Sequence, residues 1–448
     1  MAGCSAGTGG ELLDWRRGID GALHLNAAGA SPPHWRAAEA VAAHLSLERE
    51  RGGYQAAEAA RGGNAARQAL SQLLHCQPEE VALQESAQLA WAKAFYSLDL
   101  REGDALLAFE SEYAGNAVAM LQRCRKTGAR LQVLPHRPSG LIDLDALRDA
   151  LRRAKGSASR CVVALTHMNT GSAVIQPAEE VGVVAREFGA VYLLDACQTI
   201  GQIDVDVRAI GCDFACGTGR KWLRGPRGSG FLYASREATD AADANFAQTA
   251  SNYGSGAEAV TYLPPDCSVD KRRASLFGEP VMLDHVSGLW QSRDTYTLAP
   301  GARRFEMWEA SEANRCGLAA AVSVALVVTP SRIHAISSHL ASLLRRRLVE
   351  LVPGVRLRDG SARSANGAPL GAIVAFEVEG VSSAALAECL KAQALDCSLS
   401  PSSHTFKDQQ WTQQPSIRLS PSYFNTTDEV ETAAQMVAVQ VARLRLGA

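Results

Sequence analysis

Short apolar runs separated by segments with helical periodicity recur through the first three quarters of the chain. Ala105-Phe109, Leu131-Leu134, Cys161-Thr166 and Val191-Leu194 are too short for core helices and read as buried strands. Between them, Ala87-Leu98, Leu144-Ala154 and Ala178-Phe188 carry helical patterns. That order predicts an α/β fold with a mainly parallel central sheet covered by helices on both faces. In such a sheet the carboxyl ends of the strands form the ligand crevice, so functional residues are expected just after strands.

The pattern changes twice toward the carboxyl end. Thr239 to Pro300 lacks clean periodicity and is rich in Ser, Asp, Gly and Pro, which predicts mostly loops with limited secondary structure. From about Ser331 a long helix, Ile333-Leu351, precedes an alternating strand near Ala372-Val378 and helices near Ser383-Ala394 and Thr427-Leu444. The expected organisation is an N-terminal arm over 1–24, a large domain over 25–330 and a smaller α+β domain over 331–448.

Charge and cysteine usage exclude several functions. The 45 basic and 47 acidic residues leave a formal charge of -2, so nothing global favours nucleic acid or anionic lipid. The eleven cysteines are scattered with no CxxC pair, which argues for reduced thiols and against a zinc or other metal site. Met1 to Gly10 does not resemble a secretion signal, and the longest apolar run, Cys316 to Val328, is too short to span a bilayer. A cytoplasmic protein with no membrane partner is expected.

The stretch VYLLDACQTIGQIDVDVRAIGCDFACGTGRKWLRGPRGSGFLYA, Val191 to Ala234, carries the strongest chemical signal. An apolar strand delivers Asp195 to its end, and Lys221 follows 26 residues later in a Gly-bearing loop before another apolar strand. A carboxylate can hold a protonated pyridine nitrogen and a lysine amine can form a Schiff base, which is what a pyridinium cofactor needs. Thr218 and Arg220 offer a hydroxyl and a guanidinium to a phosphate or substrate. Alone, Asp195 is more often a helix cap and Lys221 a surface lysine; their joint placement carries the inference.

This stretch closely resembles the class V aminotransferases, which include cysteine desulfurases, isopenicillin N epimerases and the ergothioneine-pathway carbon-sulfur lyases. The resemblance runs from about Leu25 to Asp428 and implies the pyridoxal 5'-phosphate (PLP)-dependent transferase fold of type I, an amino-acid substrate and a homodimer. It implies that Lys221 is the Schiff-base lysine, and that Asp195 and Gln198 hold the ring nitrogen and phenolic oxygen. Ala87 and Gln88, at a helix start, match the phosphate-binding turn, and such helix N-termini bind phosphate through exposed N–H groups. Tyr113 in SEYAGN matches the ring-stacking position, where desulfurases usually have His. Asn169 and Thr170 in HMNTGS resemble the polar pair near the phenolic oxygen, although a turn uses the same residue types. Arg418 matches the arginine that clamps the substrate carboxylate, and Ala28 lies in a small-residue segment that lets backbone approach the substrate.

Within the family, GRKWLRGPRG at 219–228, ERGGY ending at Tyr54, and GEPVMLDHVSGLW with RRFEMWEASEANRCGL resemble the ergothioneine-pathway lyases. Tyr54 is thereby a candidate substrate contact, with ordinary packing at least as common for such a ring. Ser398 to Ile417 contains no cysteine, whereas desulfurases carry a catalytic cysteine on a loop before the arginine; the nearest, Cys397, ends an apolar segment and reads as core. The implied reaction is PLP-dependent β-elimination on a cysteine conjugate such as hercynylcysteine sulfoxide, giving pyruvate and ammonia. The alternatives are a cysteine desulfurase or selenocysteine lyase, an isopenicillin N epimerase-like racemase, and an aminotransferase.

Overall fold

A computed structural model describes residues 14, 16, 21–157, 159–252, 271–358, 369–400, 405–406 and 415–447. Most of the expected N-terminal arm, together with 253–270, lies outside the described residues. The chain enters through β1 (Leu23–His24) and then builds β2 (Val81–Gln84), β3 (Ala105–Phe109), β4 (Arg130–Leu134), β5 (Cys161–Thr166), β6 (Val191–Asp195), β7 (Phe214–Thr218) and β8 (Gly230–Ala234). The last seven form one sheet in the order β2-β8-β7-β6-β5-β3-β4, parallel except for β8, which runs antiparallel to both its neighbours.

The central strands are apolar throughout because helices cover both of their faces. Along β5 and β6, Val163, Leu165, Tyr192 and Leu194 join one core cluster, whereas Val162, Ala164, Val191 and Leu193 join another across the sheet. Alternate residues therefore enter opposite layers, as the two-residue repeat of a strand requires. The expected helices form at Ala87–Ser97, Leu144–Gly156 and Ala178–Glu187. Asp143 starts the second of these by accepting from the amides of Asp145 and Ala146.

The segment Thr239 to Pro300 departs from expectation. A helix occupies Arg236–Asn252, and β9 (Gly288–Ser292) pairs antiparallel with β10 (Thr295–Leu298). Ser235 begins that helix: its hydroxyl accepts from the Ala238 amide, and its carbonyl accepts from the Thr239 amide. Ala238 and Ala242, four residues apart, are both buried. Such a narrow alanine stripe is a weak periodic signal, and so the helix was hidden in the sequence.

A second, antiparallel sheet of four strands runs in the order β11-β12-β15-β14, with β11 (Val355–Leu357), β12 (Val374–Val378), β14 (Ser398–Ser400) and β15 (Ser416–Leu419). The short β13 (Leu395–Asp396) pairs instead with β1, tying the chain start to this region. Helices Pro330–Leu351, Ser383–Ala392 and Thr427–Leu446 pack with the sheet in one apolar cluster that includes Leu344, Phe376, Leu390, Leu419 and Val437. Among the described residues, no single helix is long and apolar enough to cross a membrane.

Candidate active site

The parallel strands place the singled-out residues along one edge of the large sheet. Asp195 ends β6, Thr218 ends β7 and Lys221 follows it. Tyr113 follows β3, Asn169 and Thr170 follow β5, and Ala87 and Gln88 follow β2. These are all carboxyl ends, where a parallel α/β sheet leaves its crevice.

Asp195 is buried and held on both oxygens. Its Oδ1 accepts from the Cys197 amide at 3.0 Å, and its Oδ2 accepts from Asn116 Nδ2 at 3.0 Å. Lys221 lies close enough to Asp195 and Cys197 for their charges to act on its amine. Burial lowers its pKa, with Arg220 and Arg418 pushing the same way, while Cys197 and Asp195 oppose the shift. A lowered amine pKa leaves more of the neutral, nucleophilic form.

Gln198 ties several of these segments together. Its Oε1 accepts from Trp222 Nε1 at 2.9 Å, and its Nε2 donates to the Ala28 carbonyl and Thr170 Oγ1, each at 3.1 Å. Ala28 is itself anchored through its amide to Ser420 Oγ at 2.9 Å. Asn169 fixes the adjoining turn, donating to the Ser111 carbonyl at 2.8 Å and accepting from the Gly171 amide at 2.6 Å. One amide side chain thereby links β6, the lysine loop, β5 and the chain start.

Arg418 reaches the same network from the small sheet. It stands opposite Ala375 and Ser398 in register, donates to Ser398 Oγ at 2.8 Å, and bonds Thr170 Oγ1. Its Nε is buried with no hydrogen-bond partner among the described residues. Burial, reinforced by Arg220, lowers its pKa to about 10. A buried guanidinium is costly unless an anion completes it, and no carboxylate among the described residues pairs with Arg418, which gives it the character of an anion receptor. Arg220 donates to the Gly29 carbonyl and accepts from the Ser31 amide at 2.9 Å through its own carbonyl.

At the start of helix Ala87–Ser97, Ser86 Oγ accepts from the Leu89 amide at 3.1 Å. Gly230 lies so close that a β-carbon there would collide with the Ser86 carbonyl carbon, so only glycine lets β8 pass under this turn. Thr218 Oγ1 donates to the Ser229 carbonyl at 3.3 Å beside it. The turn is supported from below by Glu306, which accepts from Arg67 at 2.6 and 3.0 Å and from the Leu83 amide at 2.9 Å. The donor set suits a phosphorylated pyridinium: amides at a helix start, a hydroxyl, a guanidinium, a ring-nitrogen carboxylate and a partly desolvated lysine.

Tyr113 occupies the N-cap position of its helix without a side-chain capping bond, is 39% exposed, and lies close enough to Arg220 to act on its charge. Tyr54 is not part of this constellation. Tyr54 is 75% exposed, and its ring packs 5.9 Å from the Trp308 ring, centroid to centroid, a surface contact among the described residues. Cys397 is 2% exposed within the apolar cluster around the four-stranded sheet, and burial pushes its thiol up to about 11.

Two residues were missed in the sequence. Glu112 is buried, and its Oε1 accepts from Thr166 Oγ1 at 2.7 Å, the Tyr113 amide at 2.9 Å and Asn116 Nδ2 at 2.9 Å. Burial pushes Glu112 up to about 7, and the nearby Asp195 charge adds to the rise against those three donors. The signal was present in SEYAGN, where Glu112 and Asn116 stand four apart across a helix start that immediately follows a strand.

The class-V aminotransferase model matches residues 37–253. A probable cysteine desulfurase of Methanothermobacter thermautotrophicus is 31% identical over 48% of this chain and 53% of its own length. A cysteine desulfurase of Synechococcus elongatus is 28% identical over 79% of this chain and 49% of its own. The chain thus spans about half the length of these curated relatives. Among solved structures, the apo cysteine desulfurase of Thermococcus onnurineus superposes with a TM-score of 0.77 at 19% identity, covering 95% of both chains. The cystine C-S lyase C-DES gives 0.75 at 19% identity, covering 94% of this chain and 98% of its own. Residues 37–253 thus match the class-V aminotransferase model, and the chain shares the fold of these cysteine desulfurase and C-S lyase structures.

Proposed function

We propose that the chain is a PLP-dependent carbon-sulfur lyase acting on a cysteine conjugate, with pyruvate, ammonia and a sulfur-bearing fragment as products. The observation that carries an amino-acid substrate is Arg418, a buried guanidinium with no carboxylate partner among the described residues, bonded to Thr170 and close enough to Lys221 for their charges to interact. When bound, PLP supplies an electron sink for the carbanion formed next to the substrate amine.

The chain's own residues divide the work. Arg418 would bind the substrate carboxylate, with Ala28 leaving room for it. Lys221 would hold the cofactor and then take the α-proton at its amine, whose pKa burial lowers. Asp195 would keep the ring nitrogen protonated, Gln198 would turn one Nε2 hydrogen from Ala28 or Thr170 to the phenolic oxygen beside Asn169 and Thr170, and Tyr113 would cover one ring face. Ala87, Gln88, Thr218 and Arg220 would hold the phosphate. Tyr54 remains a candidate contact for a long substrate at the surface. A homodimer in the cytoplasm belongs to the same reading.

The relatives' names favour a second reading, a cysteine desulfurase, in which an enzyme thiol takes the sulfur. The burial of Cys397 and its raised thiol pKa favour the lyase, because the thiolate is the nucleophile. The C-DES neighbour is a lyase on this fold. The motifs around 219–228 and Trp308 single out hercynylcysteine sulfoxide as a substrate to try first. Incubation with cysteine conjugates followed by product analysis decides: pyruvate supports the lyase. Alanine, with a persulfide mapped to Cys397 or Cys197, would establish the desulfurase.

A further inference from the structure

Two buried carboxylates share one amide at the ring-nitrogen end of the cleft. Asn116 Nδ2 donates to Glu112 Oε1 at 2.9 Å and to Asp195 Oδ2 at 3.0 Å, using both of its hydrogens. The amide cannot be flipped, since its oxygen would then face two acceptors. Thr166, which supplies a third contact to Glu112, lies opposite Asp195 in the β5–β6 register, so the two acids are fixed to adjacent strand ends.

The hydrogen bonds on Glu112 are lopsided. All three described donors converge on Oε1, which leaves Oε2 free to carry a proton without breaking any of them. Asp195, by contrast, accepts on both oxygens, as an ionised carboxylate does. Two acids this close in a buried site are hard to ionise together, and the proton settles on the one that can hold it at least cost. Among the described residues, the titratable groups around Glu112 are Asp195 on β6, with Cys197 just after that strand and Cys216 on β7 clustered beside it, and Tyr113, whose amide bonds Glu112; the helix after β3 and strand β5 also contribute the neutral Asn116 and Thr166.

We propose that Glu112 is a positioning residue for the ring-nitrogen site: acting through Asn116 it orients the Asp195 carboxylate, and by holding or releasing a proton at Oε2 it sets the negative charge that the ring nitrogen meets. The released proton passes to solvent. With Glu112 neutral the site presents one negative charge; with Glu112 ionised it presents two, and the ring nitrogen binds its proton more tightly. The proposal rests on the PLP reading of the cleft.

The test uses the holoenzyme, reconstituted with PLP labelled with ¹⁵N in the ring, and follows the ring-nitrogen resonance as pH is raised through neutrality. The parent should show a step in that resonance. Glu112→Gln, which keeps an acceptor at Oε1 but cannot ionise, should lose the step while retaining the visible band of the cofactor on Lys221. Asn116→Ala should move the step to higher pH by on the order of half a unit or more, because the shared donor no longer offsets repulsion between the acids. This second variant carries the test if Glu112→Gln does not fold. A flat trace in the parent, or an unchanged step in either folded variant, overturns the proposal. Failure of the parent to form the Lys221 adduct at all would instead remove the cofactor reading, and this inference with it.

Discussion

The carboxyl edge of the seven-stranded sheet and the four-stranded sheet each contribute one wall of the cleft, and they do so by different means. On the large sheet, parallel strands end together, so Asp195, Thr218 and the turns after β3 and β5 meet because their backbones are in register. On the small sheet, Arg418 reaches the cleft from within an antiparallel strand, between Ala375 and Ser398, and bonds the turn after β5 at Thr170. In the proposed reading, the first wall holds the groups that would act on a cofactor and the second a guanidinium suited to a substrate. Damage to the two walls should therefore differ in kind.

The largest effect is expected at Asp195. Asp195→Asn should retain some cofactor yet lose about 2.7–4 kcal/mol of transition-state stabilisation, in the range found when one preorganised electrostatic group is removed. The loss should appear in kcat, and near-normal turnover of the purified variant would contradict the role. Arg418→Ala should leave the cofactor spectrum intact and cost roughly 1.5–3 kcal/mol in kcat/KM, the worth of hydrogen bonds to a charged group. A spectral change as large as that of Asp195→Asn would show that the two walls are not separate.

Trp222→Phe probes the joint between the walls. It removes the donor to Gln198 Oε1 and leaves a buried acceptor unpaired, at about 1–3 kcal/mol, measurable as a lower melting temperature and weaker cofactor retention. The smallest effect is expected from Cys397→Ala. Turnover on a cysteine conjugate should remain substantial, with a stability loss of about 1 kcal/mol that is ordinary for a core substitution.

The difference between the walls also explains what could be read in the sequence. β3 and β5 lie at Ala105–Phe109 and Cys161–Thr166 as expected, because strands buried on both faces are unbroken apolar runs. Asp195 and Lys221 follow from such runs directly. Arg418 could be placed only by resemblance, since the partner strand β14 is three residues long and lacks an apolar pattern. Glu112 escaped because one buried acid after a strand looks the same in sequence as a solvated turn acid; only the fold shows that Asn116 joins it to Asp195. Tyr54 shows the converse, an aromatic whose motif suggested a cleft contact and whose described neighbour is Trp308 at the surface.

The central claim is that Lys221 carries PLP at the carboxyl edge of the large sheet. Borohydride reduction of PLP-saturated protein, followed by proteolysis and peptide mapping, tests it most directly. The account predicts a single pyridoxyl adduct on Lys221. An adduct on another lysine, or none, would contradict it.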